Sequence, residues 1–140
     1  MFVVDSSIFS SIVVKDEFYV KARKFLLEHS KSELITADLA FVETANTLWK
    51  HTFIYRRIPY EKFKVLKQSI EPLIRSSTAR IYSASEALVE ALDNALKYGI
   101  TVYDSIYVTL AMKYNYKLVS FDRKLRDKLK KQNLDIICVL

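Results

Sequence analysis

Five short, nearly uninterrupted runs of β-branched and apolar residues divide the chain: "MFVVD" (1–5), "ELITA" (33–37), "ARIYS" (79–83), "KLVSF" (117–121) and "DIICVL" (135–140). Each has the length of a strand, and continuous hydrophobicity of this kind marks strands covered on both faces. Helical stretches lie between them. "EFYVKARKFLLEH" (17–29) places Phe18, Ala22, Phe25 and Leu26 on one face, and "LAFVETANTLWKHTF" (39–53) spaces Val42, Ala45, Trp49 and Phe53 by threes and fours. "EKFKVLKQSIEPLI" (61–74) follows Pro59, a fitting helix start, and is expected to end or kink at Pro72. "SEALVEALDNALKYG" (85–99) opens on Ser and stops at Gly, and two further helices are expected over 103–115 and 122–132. Strands alternating with helices in this way predict an α/β fold, a three-layer α/β/α sandwich around a five-stranded, mostly parallel sheet. No Pro/Gly/Ser-rich linker, repeat or low-complexity tract interrupts the pattern, so residues 1–140 are expected to form a single domain.

Composition narrows the chemistry. Gly99 is the only glycine, which excludes the glycine-rich phosphate loops of P-loop and Rossmann proteins. Cys138 is the only cysteine, so there is no internal disulfide and no cysteine metal site, and an intracellular, cytoplasmic setting is expected. No window reaches the ~18 apolar residues of a membrane span. The segment "MFVVDSSIF" carries Asp5 and no basic leader, unlike a secretory signal. The net charge of +6 fits an anionic partner, nucleic acid first among them, and fits plain solubility equally well.

Functional groups in open parallel sheets gather at the carboxyl ends of the strands. Asp5 closes the first run and Asp122 follows the fourth. Asp38 follows the second run as the expected N-cap of helix 39–53, and Glu43 lies about one turn further in, leaning back toward the same edge. Asp104, in "VYDSIYVTLA", heads a helix that feeds strand 117–121 through a tight connection. That helix must run antiparallel to the strand, which brings its first turn to the carboxyl edge as well. Acids from four separate segments thus converge on one rim. Each Asp alone reads equally well as a helix cap, but Glu43, inside a helix, does not. Two carboxylates ~5 Å apart repel by roughly 3 kcal/mol at an effective dielectric of ~20. A divalent cation reverses that sign, and all-oxygen ligands suit Mg²⁺ or Mn²⁺.

"FVVDSSIF", "FVETANTL", "VYDSIYVTLA" and "LVSFDRKL" resemble, in order and spacing, the four motifs of the PIN-domain family, and more narrowly the VapC-type toxins of prokaryotic toxin–antitoxin pairs. The resemblance spans nearly the whole chain. It implies a Mg²⁺- or Mn²⁺-dependent ribonuclease that leaves a 5′ phosphate and a 3′ hydroxyl. Its catalytic and metal-binding acids would be Asp5, Glu43, Asp104 and Asp122, the last completing the site or orienting water. The family's hydroxyl after the first Asp falls at Ser7, its Asn three residues after the Glu at Asn46, and its usual Thr before the last Asp is Ser120 here. Asp38 has no catalytic counterpart and is read as a cap. The chemistry needs no histidine, so His29 and His51 are read as structural. The implied partners are RNA, a small cognate antitoxin and a second copy of the chain in a homodimer.

Attraction for RNA must come from basic surface. "WKHTFIYRRIPYEKFKVLK" (49–67) interleaves Lys50, Arg56, Arg57, Lys62, Lys64 and Lys67 with Tyr55 and Tyr60, and "DRKLRDKLKK" (122–131) adds a second basic run. Arg56, Arg57 and Arg123 are the expected RNA contacts, while many of the lysines also read as ordinary solvated helix faces. Phe18, Trp49, Phe53 and Tyr55 are expected either to receive an antitoxin's apolar segment or to pack in the core. Two other readings stay open: an RNA-processing or RNA-decay nuclease with the same acids, and a catalytically inactive PIN domain that binds RNA or a partner. A receiver or dehalogenase-type phosphatase is excluded, the latter because Ser7 stands where its second Asp belongs.

Overall fold

The computed structural model describes residues 1–140. Five strands form its centre: β1 (Phe2–Val4), β2 (Leu34–Ala37), β3 (Arg80–Tyr82), β4 (Lys117–Ser120) and β5 (Ile137–Val139). Their spatial order is β3-β2-β1-β4-β5, and every neighbouring pair is parallel, so the expected "mostly parallel" sheet is wholly so. Seven α-helices cover it: α1 (Ser6–Val14), α2 (Tyr19–Glu28), α3 (Leu39–Trp49), α4 (Tyr60–Ser77), α5 (Ala84–Tyr98), α6 (Val102–Tyr114) and α7 (Arg123–Lys130).

Successive strand residues point to opposite faces, and Val3 and Val4 accordingly belong to two different cores. Val3 and Leu118 pack with Tyr98, Ile106, Leu110, Leu125 and Leu129 of α5, α6 and α7. Val4 and Val119 pack with Ile8, Phe9, Phe25, Leu48 and Ile74 of α1 to α4. The chain builds β1, β2 and β3 outward in one direction, then crosses back so that β4 and β5 extend the other edge. The order reverses between β1 and β4. In parallel sheets the crevice at the carboxyl end of such a switch point is where ligands bind. No helix is long and apolar enough to cross a membrane.

Several local expectations change. Helix α1 is absent from the sequence-based reading because Ile8, Phe9, Ser10, Ser11, Val13 and Val14 are all buried. A helix buried on nearly every side has no polar stripe to reveal its period. Helix α3 buries Ala40, Thr44 and Leu48 rather than the Val42–Ala45–Trp49–Phe53 set. Val42 and Phe53 are each 68% exposed. Small side chains on the inner face let α3 approach α1, with the Ser10 and Thr44 hydroxyls 3.5 Å apart. After Trp49 the backbone widens into a π-helical turn, Lys50–Ile54. Helix α4 continues through Pro72 to Ser77 instead of ending there. Pro72 and Gln68, whose carbonyl loses its i+4 donor, both lie on the exposed side, where water can meet that carbonyl, while Ile70 and Ile74 hold the opposite face. Asp38 makes no side-chain bond to α3. Its Oδ1 instead accepts the Ala84 N–H at 2.8 Å, so it caps α5, 46 residues away.

The register of α3 gives a direct prediction. Leu48→Ala, at a fully buried position, lowers unfolding free energy by about 2–5 kcal/mol. Val42→Ala changes it by less than ~0.5 kcal/mol. Urea denaturation of both variants measures the difference, and equal losses would mean that the other face is inside.

Candidate active site

The carboxyl end of β1 is held to β4 by a small polar network. The Asp5 N–H reaches Val119 O at 3.2 Å, and the extended backbone of Asp5 makes it the N-cap of α1. Its Oδ1 accepts both the Ser7 N–H, at 2.8 Å, and the Ser7 hydroxyl. Ser7 Oγ in turn accepts the Phe121 N–H at 3.1 Å. From the β4 side, the Ser120 hydroxyl stands against the Asp5 carboxylate while accepting the Asp122 N–H at 2.9 Å. Asp122 then caps α7, its Oδ1 taking the Leu125 N–H at 2.8 Å. Two serines therefore tie Asp5 to the loop that carries Asp122.

The other two acids come from opposite layers. Glu43, in the second turn of α3, accepts the Tyr107 hydroxyl on Oε2 at 2.7 Å, and the Ser6 hydroxyl lies beside both groups. Asp104 occupies the first turn of α6, which is capped by Thr101, whose Oγ1 takes the Asp104 N–H at 3.1 Å. Ser6 and Tyr107 escaped the sequence reading. Tyr107 lies one turn after Asp104, and the signal was there to use, since a buried tyrosine hydroxyl needs a partner.

Charge is poorly screened here. Asp5 is only 9% exposed, and burial pushes its carboxyl pKa up to about 6, with the Ser120 and Ser7 bonds pulling it back and the Glu43 charge adding to the rise. Burial also raises Glu43, opposed by the Tyr107 and Ser6 hydroxyls and reinforced by Asp104. Asp104 is raised chiefly by burial, lowered by Thr101, raised by the Asp122 charge and lowered by Lys128. The four acids thus feel one another in sequence, Asp5 to Glu43 to Asp104 to Asp122. Burial and the Glu43 charge keep the Tyr107 phenol protonated, so it remains a hydrogen-bond donor. All five ion pairs of the protein lie elsewhere, so none of these carboxylates is in direct ion-pair contact, and Lys128 acts on Asp104 only from a distance. As the side chains stand, no three His, Cys, Asp or Glu groups are drawn together closely enough to hold one metal ion. An all-oxygen set of this kind suits a hard cation that keeps several waters.

The remaining sequence-selected residues are placed as follows. Asn46 is exposed on α3, one turn after Glu43. Arg57 donates to Val14 O, to Lys15 O at 3.4 Å and to His51 Nδ1 at 3.0 Å, which engages its guanidinium at the C-terminus of α1. Arg56 is exposed, with a left-handed φ of 51°. Arg123 is exposed in the first turn of α7. His29 contacts Phe25 O at 2.9 Å and packs its ring against Phe2 and Phe25, a structural role, as is that of His51. Trp49, Phe53 and Tyr55 are exposed, while Phe18 is half-buried against Phe121.

Comparison with known proteins gives consistent matches. The model of the PIN domain family matches residues 2–131. Ribonuclease VapC3 of Pyrobaculum aerophilum is 36% identical over 126 residues, covering 90% of this chain and 92% of that protein. Among solved structures, PAE2754 from P. aerophilum superposes with a TM-score of 0.67 at 24% identity, covering 91% of this chain and 78% of its own. VapC20 of Mycobacterium tuberculosis, described as a sarcin-ricin loop cleaving toxin, has a TM-score of 0.69 at 14% identity, covering 89% of this chain and 92% of its own. FitAcB from Neisseria gonorrhoeae has a TM-score of 0.68 at 13% identity, covering 99% and 97% respectively. These structures establish the shared fold.

Two predictions follow from the electrostatics. The rise of Asp5 from 3.8 to about 6 corresponds to on the order of 3 kcal/mol. A raised carboxyl pKa means that the folded state binds the proton more tightly than the unfolded state. The associated stability is fully present below pH ~4 and is lost as pH climbs through about 6. Without divalent cation, Asp5→Asn therefore gains on the order of 1–3 kcal/mol over the wild type at pH 7.5 and little at pH 4. Urea midpoints across that range test the sign. Tyr107→Phe removes a donor to a charged group and costs about 1–3 kcal/mol at neutral pH, read in the same assay.

Proposed function

The chain belongs to the PIN-domain family, and from that premise we propose that it is a Mg²⁺- or Mn²⁺-dependent endoribonuclease, the toxin of a VapBC-type toxin–antitoxin pair. The observation that carries this reading is the rim itself: four carboxylates that repel in successive pairs, three with raised pKa values, and none in an ion pair with a basic side chain. The similarity to a protein named Ribonuclease VapC3 supports the choice of substrate.

Asp5, Glu43 and Asp104 would hold the metal, with Asp122 completing the site or orienting the attacking water. When bound, the cation supplies charge neutralisation, Lewis acidity at the scissile phosphate and a lowered pKa for water. The protein's own part is positioning. Ser7 and Ser120 fix Asp5, and Tyr107 fixes Glu43. Ser7 meets Asp5 Oδ1, Tyr107 meets Glu43 Oε2 and the Leu125 N–H meets Asp122 Oδ1, with the Ser120 and Ser6 hydroxyls beside the first two carboxylates. Water adds to phosphorus, the bond to the 3′ oxygen breaks, and the products are a 5′ phosphate and a 3′ hydroxyl. Arg56 and Arg123 draw the RNA backbone, whereas Arg57 secures α1. A cognate antitoxin would bury part of the exposed apolar surface, which includes Val42, Trp49 and Phe53 on the α3 side, and the chain would work in the cytoplasm as a homodimer.

The test is cleavage of labelled single-stranded RNA by purified protein. Activity is expected with Mn²⁺ or Mg²⁺, is abolished by EDTA, and falls to background in folded Asp5→Asn and Asp104→Asn. RNA binding without cleavage, unchanged in both variants, would instead establish the inactive binding module. Thermal denaturation gives an independent readout. Mn²⁺ at ~100 times its Kd stabilises the wild type by about 2.7 kcal/mol and leaves the two variants nearly unmoved.

A further inference from the structure

Beside Asp122, at the edge of the acidic cluster, two aromatic rings lie stacked at the surface. The Phe18 and Phe121 centroids are 4.5 Å apart with planes inclined by 19°. Both rings are half-buried, and both backbones are fixed. Phe121 donates its N–H to Ser7 Oγ. Phe18 donates its N–H to Asp16 Oδ1 at 2.9 Å, and Asp16 Oδ2 takes the Ser11 hydroxyl at 3.1 Å. The same Ser7 hydroxyl that orients Asp5 thus also fixes the ring-bearing loop.

The two rings open onto a cleft of ≈ 590 Å³ lined by Glu17, Phe18, Phe121, Asp122, Arg123 and Lys124. That volume is in the range of small-ligand sites, ~300–1,000 Å³. The only apolar lining is aromatic. An aliphatic peptide segment would meet no Leu, Ile or Val here, whereas a planar base can stack on the outward face of the ring pair. Arg123 and Lys124 stand in the first turn of α7, where the helix dipole disfavours positive charge. Neither forms an ion pair, so both remain open to an anion.

We propose that this cleft is a nucleotide subsite, taking one unpaired base of the substrate on the outward face of the Phe18–Phe121 pair with its phosphate on Arg123 and Lys124. The proposal rests on the ribonuclease reading and adds to it a preference for unstacked nucleotides adjoining the cleaved bond. Stacking on aromatic side chains is tolerant of base identity, so the cleft selects single-stranded character more than sequence.

Photocrosslinking tests it on the wild-type protein. A short single-stranded RNA of mixed sequence carrying 5-iodouridine is bound in EDTA, which stops cleavage, irradiated, and the adducts are mapped by mass spectrometry. The expected adducts fall on Phe18 or Phe121, within the tryptic peptides DEFYVK and LVSFDR. Phe18→Leu and Phe121→Leu, which keep apolar volume, should each weaken RNA binding about tenfold while leaving the thermal midpoint nearly unchanged. Bound RNA with adducts confined to Tyr55, Tyr60 or other distant residues would overturn the subsite and leave the ribonuclease standing. A wild type that retains no RNA at any concentration, with or without Mg²⁺, would overturn both.

Discussion

Like charges gathered at the seam between β1 and β4 repel one another through an interior that screens them weakly, and the surrounding polar groups are arranged against that repulsion. Asp5 and Asp122 each accept a backbone N–H at the start of a helix, α1 and α7. Asp104 sits in the first turn of a third helix, α6. Three helix dipoles therefore present their positive ends to the rim, an arrangement that favours anions. Capping and membership of the acidic rim, which sequence alone presents as competing explanations of an Asp, coincide at Asp5 and Asp122. Glu43 has no helix end to lean on and relies on hydroxyls from Tyr107 and Ser6.

The sheet makes this gathering possible. Because Val3 and Val4 anchor opposite cores, β1 is locked between two helical layers, and the residue that follows is delivered to the crevice in a fixed orientation. The layers contribute unequally. Helices α1 and α3 bring Ser6, Ser7 and Glu43 from one side, and α6 brings Asp104 and Tyr107 from the other. Side chains from both layers meet only at the carboxyl edge, above the point where strand order reverses.

Strands and acids were legible in the sequence because each leaves a local mark. An uninterrupted apolar run marks a doubly covered strand, and a lone carboxylate at its end stands out. What stayed hidden is long-range or lacks contrast. Helix α1 carries no polar face, so no period appears. The inner face of α3 is made of Ala40, Thr44 and Leu48, less conspicuous than the Val42 and Trp49 that the fold turns outward. Asp38 precedes α3 and looks like its cap, yet it bonds Ala84, a partner set by the pairing of β2 with β3. Arg57 looks like a free surface cation until α1 is placed and its terminal carbonyls claim the guanidinium.

The strand that completes the rim is the fourth in sequence but stands next to the first in space. A ribosome therefore releases Asp5 and Glu43 long before Asp104 and Asp122, and the serine tie between β1 and β4 cannot form until some 120 residues are made. Domains fold as units once their chain is available, so a nascent chain of this protein carries half a site and no crevice. The four acids come onto one rim in a single late step, when β4 slots in beside β1.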